Sequence, residues 1–410
     1  MTVHEVSQKL NISIDTVRRW DKKGIIKSTR SANNFRLFDI KEVERLINRR
    51  NSDNYKVLVN KKKTNFNVIE LFAGAGGTAL GFENAGLKHS MLIEINKDAA
   101  NTLKTNLPNC NVINTDVSTV SFKGITADVV QAGFPCQAFS YAGNSLGFND
   151  IRGTLFFEFA RCVNEVKPKI AVGENVRGLL RHDGGRTLKT MISVLEEIGY
   201  RVKYKLLKSQ YLDVPQKRER LIIMAVRNDL DIPFIFPKEK DYIISIREAL
   251  KNCPKSDGQK YPKRKAEILR LIPEGGYWKD LPIKLQKEYM MASFYHTGGR
   301  TGMARRLSWD EPSLTLTCAP AQKQTERCHP NETRPLTIRE YARIQTFPDS
   351  WKFHGSVSSQ YKQIGNAVPV NLGYHIGEAL IAMLSGKIKD GLIVEEKESD
   401  KYIQSELFLI

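Results

Sequence analysis

The 410-residue chain is poor in cysteine, with six residues at positions 110, 136, 162, 253, 318 and 328, and no two of them form a CxxC pair. A disulfide framework and paired structural zinc knuckles are thereby excluded, and reduced thiols in a cytoplasm are expected. No H-x-E partnered by P-C-x-x-C occurs, because Pro135-Cys136 continues as Gln137-Ala138-Phe139, which excludes zinc-dependent deamination and leaves no metal expected. Apolar runs stay short of the roughly 18 residues that a membrane-spanning helix needs. MTVHEVSQKL has no basic region followed by an apolar stretch, so neither a secretory leader nor a membrane partner is expected. Internal repeats are absent too. Negative charge is under-represented: 63 Lys+Arg stand against 45 Asp+Glu, a net charge of +18. Such an excess points to a polyanionic partner. With 41% apolar residues the chain can bury at least one large core, and its length predicts two to four domains.

Half of the surplus charge sits in residues 1–66, which hold 16 Lys/Arg and 7 Asp/Glu. Val3, Val6 and Leu10 repeat at helical spacing, Ser13 can cap a second helix with Ile14, Val17 and Trp20 on one face, and Gly24 ends it. Two strand-like pieces around a polar turn follow. This predicts a winged helix-turn-helix over 1–50 whose second helix exposes Thr16, Arg18 and Arg19 to DNA. Residues 51–66 read as a linker, with Lys61-Lys62-Lys63 as a solvated tether. From residue 67 apolar strands alternate with helical patterns, which predicts an α/β fold with a parallel, doubly wound sheet over 67–235. Residues 236–333 read as a smaller, irregular, β-rich domain. Helical patterns at Thr337–Gln345 and Val370–Leu384 suggest that 334–390 rejoins the first domain, leaving 391–410 as a tail.

A strand, then Phe72-Ala73-Gly74-Ala75-Gly76-Gly77, then a helix puts a glycine turn at the carboxyl edge of the sheet, where such folds place a ligand. Glu94 follows Gly74 by 20 residues, at the spacing of a ribose-binding acid. These features alone permit NAD, FAD or S-adenosylmethionine. Asp116 can contact an adenine amine or cap the segment after it. Further strand ends carry Gly133-Phe134-Pro135-Cys136-Gln137, Gly173-Glu174-Asn175-Val176 and Gln216-Lys217-Arg218-Glu219-Arg220. A thiol, an acid and two alternate arginines thus converge on the ligand edge. A dinucleotide-dependent oxidoreductase would leave all four unexplained.

The ordered blocks FAGAGG, GFPCQAFS, ENV, QKRER, RPLTIREYARIQTFPD and QIGNAVP, spanning about residues 67–385, closely resemble bacterial DNA (cytosine-5)-methyltransferases. Residues 1–50 resemble the winged helix of MerR-type and excisionase-like proteins. The first resemblance implies a Rossmann-like S-adenosylmethionine-dependent core, S-adenosylhomocysteine as product, and Cys136 as a nucleophile that adds to carbon 6 of a flipped-out cytosine. It assigns Glu174 to the ring nitrogen and amine, with Arg218 and Arg220 favouring the thiolate. It places Phe72, Gly74, Ala75 and Gly77 at the methionine moiety, Glu94 at the ribose, Ile95 and Asp116 at the adenine, Pro135 near the sulfonium, and Leu155 and Asn366 at the edge of the pocket. Two departures are evident: Gly173 replaces a larger apolar residue before ENV, and Ile95 stands where an aromatic commonly stacks.

Residues 236–333 resemble the family's target-recognition region, in which Arg305, Arg306, Thr315, Gln322, Lys323, Gln324 and Arg327 are candidate DNA contacts, and Gln216, outside that region, is a further one. The loop Gln137–Gly153 is the expected clamp on the flipped base. The implied activity is sequence-specific carbon-5 methylation of cytosine in double-stranded DNA, within a restriction-modification system that includes a cognate endonuclease. The chain is expected to be monomeric and nucleoid-associated in a bacterial cytoplasm, with residues 1–50 binding its own promoter DNA. The alternatives are a tRNA cytosine-5 methyltransferase and a non-catalytic DNA-binding regulator.

Overall fold

The computed structural model describes residues 1–10, 12, 14–22, 26–31, 33–44, 54–134, 154–296 and 302–395. The expected cap Ser13, the stop Gly24, the nucleophile Cys136 with Pro135, and the loop 137–153 lie outside them. The chain divides into two compact units, Met1–Asn54 and Tyr55–Ile410.

In the first unit, helices Val3–Leu10 and Ile14–Lys22 precede strands β1 (Ser28–Arg30) and β2 (Arg36–Phe38), which pair antiparallel. Val6, Leu10, Val17, Trp20, Ile26, Phe38 and Val43 form its core. Apart from Ile14, which is exposed, the helical spacing seen in the sequence is therefore the buried stripe of a small winged helix. Arg18 is exposed, its side chain at 58%, while Arg19 is half-buried. Thr16 is buried at 7%, which corrects its expected exposure: it lies beside Val17 on the inward face.

The second unit is built on strands β3 (Asn67–Leu71), β4 (Lys88–Ile93), β5 (Val112–Ile113), β6 (Val129–Ala132), β7 (Ile170–Val176), β8 (Tyr200–Lys208) and β10 (Glu219–Arg227), the short β9 (Gln216–Lys217) lying just before the last. Their order across the sheet is β5-β4-β3-β6-β7-β10-β8. β3 to β7 are parallel, but β10 runs antiparallel to both β7 and β8. The sheet is therefore mixed rather than wholly parallel. The cause is local: only a short 3-10 turn, Ser209–Tyr211, and no α-helix separates β8 from β10, and a parallel return needs a crossover of a dozen or more residues. One face packs on helices Leu155–Val166 and Arg186–Glu197 through Phe156, Phe159, Val163 and Met191. The other packs on helices Gly77–Ala85 and Val370–Ser385 through Phe82, Leu372, Ile376 and Leu380.

Val357–Ser385 is long and apolar enough to cross a membrane by composition, yet 78% of its apolar window is buried within this unit. It is also interrupted at Ala367–Pro369, between helices Val357–Asn366 and Val370–Ser385. It is core.

Two stretches differ from the sequence reading. Residues 55–66, expected to belong to a linker, run as an extended strap on the second unit. Tyr55 Oη donates to Arg343 O at 2.9 Å, Leu58 N–H to Asn371 Oδ1 at 2.9 Å, and Thr64 N–H to Gly86 O at 2.8 Å. Residues 236–333 hold helices Ile246–Leu250, Lys263–Arg270 and Ile283–Met290, with little strand among the described residues. Ile268, Leu269, Ile272, Tyr289 and Met290 lie at helical spacing around Trp278 and Cys328, so this region has its own core but is not β-rich. The expected tail also begins with a strand, Leu392–Glu395, which pairs with Phe234–Pro237.

Candidate active site

The glycine turn follows β3 and is held by backbone conformations that favour glycine: Gly74 has φ 56° and Gly76 φ 86°, while Phe72 adopts φ 58°. A Cβ on Gly77 would lie 2.1 Å from Val368 O, so the turn is pressed against the Gln363–Val368 segment. A Cβ on Gly74 would meet nothing within 4 Å. The turn is thus packed on its Gly77 side and open at Gly74, as a ligand-facing glycine must be. Ala75 is buried, at 1%. Glu94 closes the turn: its two carboxylate oxygens accept the N–H groups of Gly74 at 2.8 Å and Asn96 at 2.7 Å. Each oxygen keeps a second lone pair, so the carboxylate can still accept ribose hydroxyls. Ile95 is 65% exposed. Asp116 caps the turn Val117–Thr119 by accepting from Ser118 N–H and Oγ, which holds its pKa below the usual range. Leu155 is half-buried at the start of its helix and Asn366 is exposed at the end of its own. The donor and acceptor set fits an adenosyl-methionine ligand.

Two residues beyond β6 lies the buried Phe134, whose ring packs on Phe156 and Phe159 with centroids 5.3 and 5.6 Å away. Phe134 O accepts from Asn175 Nδ2 at 2.9 Å. A Cβ on Gly173 would come within 3.3 Å of this ring, so Phe134 fills the space that a larger residue before ENV would need. Cys136 lies two positions beyond Phe134, outside the described residues. Glu174, on β7, contacts Arg220 through Oε1 and Nε at 2.5 Å, with both side chains nearly buried. This is a charge contact without hydrogen-bond alignment, and it joins the acid to one of the two expected arginines. Arg218 is wholly buried and donates to Leu316 O at 3.2 Å and Gly365 O at 3.1 Å. Burial and the charge of Arg220 depress its pKa. It joins the sheet edge, the 313–317 segment and the Gln363–Asn366 turn.

Three expected DNA contacts are corrected by burial. Gln216 is inaccessible: it donates to Gln345 Oε1 at 2.8 Å and accepts from Leu316 N–H at 2.9 Å. Arg306 donates to the carbonyls of Leu269, Ile272, His329, Pro330 and Glu332 and to Thr333 Oγ1. Arg327 donates to Thr315 O and Glu326 O, and burial lowers its pKa to about 10. These arginines satisfy orphan carbonyls of an irregular region. Thr315 is half-buried, its hydroxyl donating to Lys217 O at 2.7 Å. Gln322 and Gln324 are exposed, and Arg305 is half-buried over the Tyr277 ring.

Sequence reasoning passed over Gln345 and Asn371. Gln345 Nε2 donates to Ile364 O and Ala367 O, and Asn371 ties Lys56 O and Asp213 O to the same region. Gln345 stands inside the block RPLTIREYARIQTFPD, which was the available signal.

Residues 66–382 match the family described as C-5 cytosine-specific DNA methylase. The chain belongs to that family. Residues 2–38 match the MerR family regulatory protein family. The methylase is 54% identical over 402 residues to the type II methyltransferase M.Eco47II of Escherichia coli, covering 93% of this chain and 95% of that one. It is 50% identical to M.Sau96I of Staphylococcus aureus, covering 79% and 78% respectively. It is 35% identical to M.HhaI of Haemophilus parahaemolyticus, covering 78% of this chain and 97% of that protein. The solved Dnmt2 methyltransferase of S. pombe shares the fold, with a TM-score of 0.57 at 17% identity, covering 78% of this chain and 99% of that one. The methylase is therefore an S-adenosylmethionine-dependent enzyme that methylates cytosine in DNA.

Proposed function

We propose that the methylase modifies carbon 5 of one cytosine within a short duplex site, as the protective half of a restriction-modification system. Its relatives of known type are type II methyltransferases, which supports a companion endonuclease. The observation that carries the chemistry is the nearly buried Glu174–Arg220 contact at the sheet edge where β6 leads to Cys136. In this reading the thiolate of Cys136 adds to carbon 6 of a cytosine swung out of the helix, since a base inside the stack is beyond reach. Glu174 hydrogen-bonds the ring nitrogen and amine, and Arg220 holds that carboxylate in place. Once carbon 5 carries the methyl group, loss of its proton to a base lets Cys136 leave as the thiolate. The turn at Gly74, with Phe72, Ala75, Gly77, Glu94, Ile95, Asp116, Pro135, Leu155 and Asn366, would hold S-adenosylmethionine, which supplies an electrophilic methyl group. Arg305, Gln322 and Gln324 support target recognition by residues 236–333, and Arg18 supports binding of promoter DNA by the first unit.

The test is transfer of labelled methyl from S-adenosylmethionine to duplex DNA by wild type and Cys136→Ser, with product mapped at base resolution. Methylation within one short motif, lost in the variant, is expected. Equal transfer by Cys136→Ser would refute the covalent mechanism.

A further inference from the structure

Glu326 is a carboxylate with no exposed surface in the middle of the 236–333 region. Its Oε2 accepts the N–H of Ala304 at 2.7 Å and the hydroxyl of Tyr289, and its Oε1 pairs with the ammonium of Lys265. Lys265 also donates to Ala321 O at 2.6 Å. Ala304 adopts φ 46°, a left-handed conformation that strains a non-glycine residue. It needs an outside constraint, and the Glu326 carboxylate supplies one.

The same contacts connect Arg305 with the Gln322–Gln324 turn, both candidates for base recognition. Glu326 N–H donates to Gly302 O at 3.2 Å, and a Cβ on Gly302 would lie 2.5 Å from Gln324 O. Arg305, next to Ala304, donates to Gly275 O at 2.9 Å and stacks on Tyr277 at 4.8 Å. Arg305 thus lies on one side of the Glu326 contact and the Gln322–Gln324 turn on the other. A buried ion pair seldom adds net stability over a well-packed apolar substitute. What the carboxylate provides here, and an apolar residue cannot, is an acceptor for the Ala304 N–H.

We infer that Glu326 is a positioning residue for target-site selection: it fixes the backbone at Ala304 and so sets Arg305 relative to the Gln322–Gln324 turn. This rests on the reading that residues 236–333 select the target. It calls for a geometric acceptor, while the negative charge is required only because Lys265 lies opposite. Glu326→Gln turns an amide donor toward the Lys265 ammonium and breaks the arrangement. Lys265→Met together with Glu326→Gln removes the conflict, leaving an amide oxygen free to accept from Ala304 and Tyr289.

The experiment uses the full chain and plasmid DNA, and measures the map of methylated cytosines, KM for duplex, kcat, and affinity for S-adenosylmethionine. Glu326→Gln is expected to raise KM for duplex, or to relax discrimination against single-pair variants of the site, by about tenfold, the scale of one lost base contact. kcat and cofactor affinity should stay within about twofold, a split that a general loss of folding would not give. The double variant should recover most of the loss. The inference is overturned if Glu326→Gln keeps the wild-type map and KM, if cofactor affinity falls in step, or if the double variant fails to recover. Arg305→Ala and Gln322→Ala separate the two readings. If they shift the map while Glu326→Gln does not, the inference about Glu326 fails alone. If none of the three shifts it, target selection by this region fails as well.

Discussion

Replacing Gln216 with leucine separates a buried strut from a DNA contact. Leucine nearly matches the volume but removes both polar ends, leaving the Leu316 N–H and Gln345 Oε1 without the partners they now have at 2.9 and 2.8 Å. Gln216 has no exposed surface, so water cannot replace those partners without the structure opening. Each orphaned buried group costs about 1–3 kcal/mol, which gives a loss of about 2–6 kcal/mol for Gln216→Leu. Urea unfolding followed by tryptophan fluorescence should show the midpoint moving down with little change in slope. The affinity of the remaining folded protein for duplex should stay close to wild type. A variant with unchanged midpoint and weakened DNA binding would refute the burial argument and restore Gln216 as a contact.

Glycine substitutions in the turn should split by position. Gly74→Ala should weaken S-adenosylmethionine binding at a stability cost of about 1–2 kcal/mol, whereas Gly77→Ala, 2.1 Å from Val368 O, should chiefly destabilise, and calorimetry with ligand titration would expose the reverse order. Glu174→Gln should slow methyl transfer by about 100-fold or more while leaving cofactor affinity intact, as single-turnover assays can measure. Burial disfavours charge on His89, but its pairing with the Glu70 and Glu83 carboxylates, at 3.1 and 3.2 Å, outweighs it and raises its pKa to about 9. A raised pKa stabilises most below the unfolded value near 6.5 and is lost as pH climbs through about 9. The unfolding midpoint should therefore fall across that window, and His89→Gln should be less stable but flatter; an equally steep fall in the variant would contradict this assignment.

Strands β3 and β6 were legible, because each runs into a turn-forming block, FAGAGG or GFPCQAFS. The glycine turn was legible because its backbone demands are written in residue type. The antiparallel β10 was not, since strand direction depends on the connection rather than on composition. Arg306 and Arg327 misled for a different reason. A guanidinium that satisfies carbonyls inside an irregular region reads the same, in sequence, as one that faces phosphate. The strap at 55–66 was hidden similarly: its polar composition suits a tether, and its attachment depends on Asn371, more than 300 residues away. Helix Val357–Asn366 went unrecognised because its last turn was read as the motif QIGN.

The Gly81–Gly373 contact has a consequence for how the protein is made. A Cβ on Gly81 would lie 2.7 Å from Gly373 Cα, and one on Gly377 would lie 2.8 Å from Ala85 Cβ. The helix after the glycine turn and the last long helix therefore meet backbone to backbone. Their partner surfaces leave the ribosome about 290 residues apart, which at roughly 5–20 residues per second is a delay of about 15–60 s. During that interval the turn has no Val368 carbonyl to lean on, so a nascent chain lacks a finished glycine turn. Methylating capacity then appears only when synthesis is almost complete, and a chain truncated before residue 366 would be a winged helix attached to an unfinished enzyme.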